Sequence, residues 1–274
     1  MREIATVRII PSLAAASALS LSAGLASAAP PLVERRQTVP AKEVDVDAAL
    51  GVARCDLGPG TSGTGAGGNF DIGIGLKQHL ELGVSLGMRF GTDGKFSSAD
   101  NYAKLADYRT FGADGNATFT PEVRLKSQVV DLSAFEFSLE LRGGLSVGDS
   151  PPQALGEGTT RPSLRGGAPI ALHIGSILRL DSGVFARVVF ANQVRTGVLL
   201  PAELWIQPTS KFWVGPRTGL LISSPGGGTD VQAGVGVGYQ VTSAIDLKAG
   251  FLLPAVDKTT ENWGVGVGAQ FRVE

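Results

Sequence analysis

From residue 44 onward the apolar residues recur with a period of two. Leu80, Leu82, Val84, Leu86, Met88 and Phe90 alternate with Glu81, Gly83, Ser85, Gly87 and Arg89, which gives an extended chain one apolar and one polar face. Phe135, Phe137, Leu139 and Leu141 do the same against Glu136, Ser138, Glu140 and Arg142, as do Val123 and Leu125 against Glu122, Arg124 and Lys126. Further on, Val231, Ala233, Val235, Val237, Tyr239 and Val241 alternate with Gln232, Gly234, Gly236, Gly238 and Gln240, and Trp263, Val265, Val267, Ala269 and Phe271 continue the design. The pattern predicts twelve strands, over 44–53, 69–76, 80–90, 119–130, 134–147, 169–180, 183–194, 197–207, 211–222, 230–241, 244–253 and 262–273. Strands of about ten residues cross a bilayer when tilted.

The connections alternate in length. Those at 77–79, 131–133, 181–182, 208–210 and 242–243 are short, those at 54–68, 91–118 and 148–168 are long, and those at 223–229 and 254–261 are intermediate. The tight connection near 195–196 breaks the rule. Short turns on the side of both termini and longer loops on the other is the asymmetry of a barrel in an outer membrane. Large rings keep to strand ends: Phe70, Phe90, Phe119, Phe190, Phe251 and Trp263 toward the loops, and Phe135, Phe137, Phe185, Trp205, Phe212, Trp213, Tyr239 and Phe271 toward the turns. Two aromatic girdles of this kind flank an aliphatic band in lipid.

On these residues, 44–274 resembles the broad class of bacterial outer-membrane β-barrel proteins, in architecture and without a match to one named family. The resemblance implies an all-β, antiparallel up-and-down transmembrane barrel that meets outer-membrane lipid, relies on a barrel assembly machinery during biogenesis and needs no cofactor. The class ends its last strand on an aromatic; here Phe271 is followed by Arg272, Val273 and Glu274, so that signal is displaced. The function expected of such a chain is a porin-like passive channel for small polar solutes. The alternative is a closed structural or surface-binding barrel acting through its external loops.

The first residues fit export. Arg2 and Arg8 precede an apolar, small-residue run from Ile9 to Leu25 and then Ala26-Ser27-Ala28, the layout of a secretory signal cut after Ala28. Pro11 and the many Ser and Ala residues leave the run too weak for a membrane anchor. Residues 29–43, with Glu34-Arg35-Arg36 and Pro40, are expected to form an extended periplasmic leader before the barrel at 44–274. Removing 1–28 takes away Arg2, Arg8 and Glu3, leaving 22 basic and 24 acidic groups, and a charge of −2 gives no footprint for nucleic acid. Cys55, the single cysteine, can form neither an internal disulfide nor a thiolate metal cluster. With 38 glycines, 15 prolines and plentiful aliphatic residues, the composition suits many short strands and turns.

Charge is concentrated on the polar faces of the middle strands. Glu122, Arg124, Lys126, Glu136, Glu140 and Arg142, then His173, Arg179, Arg187, Glu203 and Arg217, are the candidate lumen-facing set. The second, third, tenth and twelfth strands instead turn Gly73, Gly75, Gly83, Gly87, Gly234, Gly236, Gly238, Gly264, Gly266 and Gly268 inward. Such a wall leaves room for water, a loop, the leader or long side chains from across the lumen. Confined charges are expected to pair with one another, and the small basic surplus of the candidate set leans a pore toward anions.

Other chemistry finds little support. His79 and His173 are the two histidines, and Ser176, three residues from His173, falls on the opposite face of a strand, so no nucleophile–base pair forms. Asp114-Gly115-Asn116 with Asp93, Asp100 and Asp107 lacks the spacing of a calcium loop, so no metal is expected. Gly58–Gly68 is predicted as a flexible glycine loop outside any phosphate-binding setting. The 28 residues 91–118 are too long for a mere connector. A short helix there sets Tyr102, Leu105 and Tyr108 on one side, a candidate constriction folding over the mouth of the barrel.

Overall fold

The computed structural model describes residues 30–58, 61–91, 118–148, 160–190, 194–224, 228–253, 255–258 and 263–273. Among them twelve strands run in chain order: β1 (Val44–Gly58), β2 (Thr61–Lys77), β3 (Leu80–Gly91), β4 (Thr118–Asp131), β5 (Phe135–Gly148), β6 (Thr160–Ile174), β7 (Leu178–Val189), β8 (Arg195–Ile206), β9 (Phe212–Ser224), β10 (Gly228–Gln240), β11 (Ile245–Leu253) and β12 (Trp263–Val273). Each pairs antiparallel with its sequence neighbours. β1 also pairs with β12, from Val44 opposite Val273 to Arg54 opposite Trp263, and this closes the barrel. Closure leaves no exposed edge, the condition for a sheet to stand in lipid. The fold class is the one the period of two predicts.

Several boundaries move. The stretch expected as a glycine loop, 58–68, is mostly strand: Gly63 lies opposite Cys55, Gly65 opposite Ala53 and Gly67 opposite Gly51, so β1 and β2 extend until only 59–60 separate them. Small residues facing one another pair without steric cost, which outweighs the loop tendency of glycine. The turn expected at 181–182 lies at 175–177 instead, where Gly175 has φ +62° and needs no Cβ. The predicted signal at 1–28 and the candidate constriction residues Tyr102, Leu105 and Tyr108 lie outside the described residues.

The wall is inverted relative to a soluble protein. Leu50, Val84, Val123, Leu139, Leu141 and Val267 are each at least half exposed, while Arg124, Lys126, Glu136, Glu140, Arg179, Glu203 and Arg217 on the other face are buried. An apolar exterior over a polar interior is the arrangement of a transmembrane barrel. Leu139→Arg or Val235→Arg, at exposed outward positions, should cost about 2–4 kcal/mol of barrel stability in lipid. Gly236→Arg, at a buried inward position, should cost less and crowd the lumen instead. Urea unfolding in vesicles compares them; equal losses at both faces would refute the facing.

The aromatic girdles are real on one face only. Phe212, Tyr239 and Phe271 point outward near the turn ends, and Phe190 and Phe251 outward nearer the loops. Phe185, Trp205 and Trp213 do not belong to them: all three are buried inside the barrel. Phe185 meets Leu199 and Leu221 there, and the two tryptophans meet Leu32 and Val33 of the N-terminal segment.

Candidate functional site: the lumen and its N-terminal segment

All eleven charged residues of the candidate set fall on inward strand positions, and most are ion-paired. Arg124 on β4 meets Glu81 on β3, with Asp71 on β2 at 3.5 Å. On β5, Arg142 bonds Glu140 at 2.5 Å, and Glu122 of β4 stands 3.7 Å from both Arg142 and Arg165. Arg179 and Asp181 pair at 2.8 Å on β7, and Arg217 of β9 reaches Glu203 of β8 at 2.7 Å. His173 lies 3.3 Å from Glu136. Arg187 occupies an inward position of β7, half-buried.

The candidate set left out charged residues that lie inside the barrel. Asp47, Asp71, Glu81, Asp181, Asp230 and Asp246 are buried, with Lys248 ion-paired to Asp47. These additions are mostly acidic, so the basic surplus read from the candidate set disappears. The glycine strands also do not form an unbroken wall, because β11 and β1 stand among them and carry Asp45, Asp47, Asp246 and Lys248.

The largest departure from the sequence reading is the placement of residues 30–43. Leu32, Val33, Gln37 and Thr38 are buried inside the terminus end of the barrel, Pro40, Ala41 and Lys42 are exposed, and the wall supplies hydrogen bonds to the buried part. The Val33 N–H donates to Gln207 Oε1 at 3.0 Å, and its carbonyl is 2.5 Å from His173 Nδ1. The Gln37 N–H donates to Glu136 at 2.7 Å, its carbonyl accepts from Lys126 at 2.5 Å, and its side-chain Oε1 accepts from the Ser138 hydroxyl at 2.7 Å. Thr38 donates to Gln128 at 2.7 Å and the Val39 N–H to Glu81 at 3.1 Å, while Arg179 donates to the Leu32 and Arg35 carbonyls. Buried backbone groups must be satisfied, and here side chains of five strands do what a neighbouring strand does elsewhere.

Three anchors fix the segment. Leu32 and Val33 fill an apolar pocket against Trp205 and Trp213. Arg35 ion-pairs with Asp246 of β11 and lies 5.6 Å over the Trp213 ring, a cation–π contact. Burial pulls the Arg35 pKa below its ordinary value, and Asp246 beside it acts in the opposite sense; a guanidinium stays charged under such conditions. Arg36 pairs with Asp131 at the rim. Close approach is allowed by glycine. A Cβ at Gly75 would sit 1.8 Å from the Pro40 carbonyl oxygen, and one at Gly238 would sit 2.2 Å from the Trp213 ring. The room left by inward glycines is thus taken partly by this segment and partly by the side chains it packs on.

Neither a family model nor a curated protein sequence matches the chain. Solved structures do. An outer membrane channel from Pseudomonas putida F1 superposes with a TM-score of 0.56 at 14% identity, over 86% of this chain and 97% of that one. The translocator domain of the autotransporter NalP from Neisseria meningitidis gives 0.51 at 10% identity over 84% and 87%. The β domain of the Bordetella autotransporter BrkA gives 0.51 at 12% over 84% and 99%. This chain therefore has the fold of the outer-membrane β-barrel proteins, a class that holds both channels and translocators.

Proposed function

We propose that this chain is an outer-membrane channel that passes small polar solutes passively, exported by its N-terminal signal and seated in the outer membrane of a Gram-negative bacterium. The observation that carries the reading is the wall itself, aliphatic outside and lined with arginine, lysine, aspartate and glutamate within. Buried charge is costly, and an interior that had only to be filled would hold apolar side chains more cheaply. A polar interior is water-filled in the porins of this class and plugged in others. The Pseudomonas putida barrel of like fold is itself described as a channel. Under this reading lipid covers the aliphatic band, and the assembly machinery is the partner during biogenesis.

The rival reading is a barrel closed for structural or surface-binding use, and the N-terminal segment packed into the lumen is the observation in its favour. Refolded protein in planar bilayers separates the two. Discrete conductance steps are expected from the channel. Silence in the full mature chain and again after removal of the N-terminal segment would leave the closed barrel.

A further inference from the structure

Four arginines stand side by side across the inner wall. Arg124 on β4 is the register partner of Arg142 on β5, Arg142 of Arg165 on β6, and Arg165 of Arg187 on β7. Neighbouring strands are about 4.8 Å apart, so this rung carries four guanidinium-bearing positions over about 14 Å. Like charges directly opposed on one face of a sheet disfavour folding. A rung of mixed sign would serve the barrel alone better, and one rung nearer the termini Lys126 does lie opposite Glu140.

Carboxylates from β2, β3, β4 and β5 stand along the rung. Glu81 and Asp71 attend Arg124, and Glu140 bonds Arg142 directly. Glu122 is shared between Arg142 and Arg165 at 3.7 Å from each, an ion-pair distance longer than a hydrogen bond.

Across the barrel one register row carries only glycine, covered at its β9 end by the Trp205 ring over Gly215. Gly215, Gly236, Gly250, Gly266, Gly51 and Gly67 are successive register partners on β9, β10, β11, β12, β1 and β2. In strand order these lie half a turn from β4–β7, and both rungs run through strand interiors. The polar contacts of the N-terminal segment, to Glu81, Lys126, Glu136, Arg179 and Asp246, all fall on the terminus side of the arginine rung.

We propose that the space between the arginine rung and the glycine rung is a binding site for a small multivalent oxyanion, its carboxylate or phosphate groups held by the guanidinium forks, entered from the end of the barrel away from the termini. Such forks match both oxyanions bidentately. The site names the solute class of the channel and rests on the channel reading for transport, though its binding step does not need an open pore. Glu122 acts there as the resident competitor of the ligand.

The test is calorimetry on refolded protein in detergent at low ionic strength, where exposed charge is least screened. Citrate, inorganic pyrophosphate and, as the neutral probe, glucose are titrated in turn. Saturable binding of one or both anions, and none of glucose, is expected. Citrate alone identifies a carboxylate solute, pyrophosphate alone a phosphorylated one. Losing charge-assisted hydrogen bonds in the double variant Arg165→Gln, Arg187→Gln should weaken binding about tenfold or more. Glu122→Gln, which removes the competitor, should tighten it. If the double variant does not fold, as judged by its heat-modifiable gel mobility, Glu122→Gln decides alone. No anion binding by the wild type, or affinities unchanged in the folded variants, overturns the site. Conductance measured on the same preparations is a separate reading: conduction without anion binding leaves the channel and removes the site, and binding without conduction does the reverse.

Discussion

Deleting residues 30–41 should raise single-channel conductance severalfold and leave the barrel folded. A barrel of about eight strands has an interior that side chains alone can fill, whereas 16 to 18 strands enclose an aqueous pore. With twelve strands the lumen lies between these regimes, and one extra length of chain decides whether a path remains. Residues 30–43 are that extra length, held by wall side chains from β3, β4, β5, β6, β7 and β11. The strand pairing does not pass through 30–41, and Lys42 and Glu43, which bond the Gly75 backbone of β2, are kept, so the sheet closes without the deleted residues. Their removal exposes Lys126, Glu136 and Arg179 to water, which solvates each at little cost. Trp205 and Trp213, fully buried in the intact protein, would become hydrated, so a red shift of tryptophan emission should accompany the gain in conductance. A truncated protein with intact gel mobility and an unchanged conductance would refute the plugging role.

How much of this was legible in the sequence depends on which physical signal each residue left. The inward charges announce themselves by alternation with leucine and valine, so Arg124, Lys126, Glu140 and Arg142 needed no structure to be placed. Asp181 was hidden by turn chemistry, since Asp181-Ser182 has the composition of a tight turn, yet the turn is made by Gly175. The three misplaced aromatics could have been found. Trp205 is two residues from Glu203, Phe185 two from Arg187, and Trp213 four from Arg217, so each shares the face of a charged neighbour. Position along the strand suggested a girdle, but the face rules it out. The N-terminal segment left no such trace, because Glu34 to Pro40 has no periodicity and its partners are 42 to 211 residues away in the chain. The two rungs were also beyond reach. Each depends on strand register, which alternation constrains only to a face and not to a particular partner.

Asp246→Ala is expected to be the most damaging single substitution inside the barrel. Its carboxylate is completely buried and serves two arginines from different parts of the chain: Arg35 of the N-terminal segment and Arg272 of the last strand, the latter at 2.8 and 3.0 Å. Removing one partner of a buried ion pair leaves an uncompensated charge, and such losses run to about 3–5 kcal/mol. Here two guanidinium groups lose their partner together. Arg272 also donates to the Ser243 carbonyl at 3.2 and 3.4 Å and so keeps part of its setting. Arg35 keeps its bond to the Pro30 carbonyl, which lies in the same segment, and of its charged contacts with the wall only the weaker one with the Trp213 ring. The damage should therefore fall in two places. Urea unfolding in vesicles should show a stability loss of about 3 kcal/mol or more, and trypsin should cut after Arg35 or Arg36 in folded protein where the wild type resists. In a double-mutant cycle, Arg35→Ala on the Asp246→Ala background should cost far less than on the wild type, because the two are directly coupled. If the costs simply add, and the segment stays protected from trypsin, then Asp246 does not tether the N-terminal segment, and its other contacts, the apolar pocket at Trp205 and Trp213 and the hydrogen bonds to the wall, hold it without Asp246.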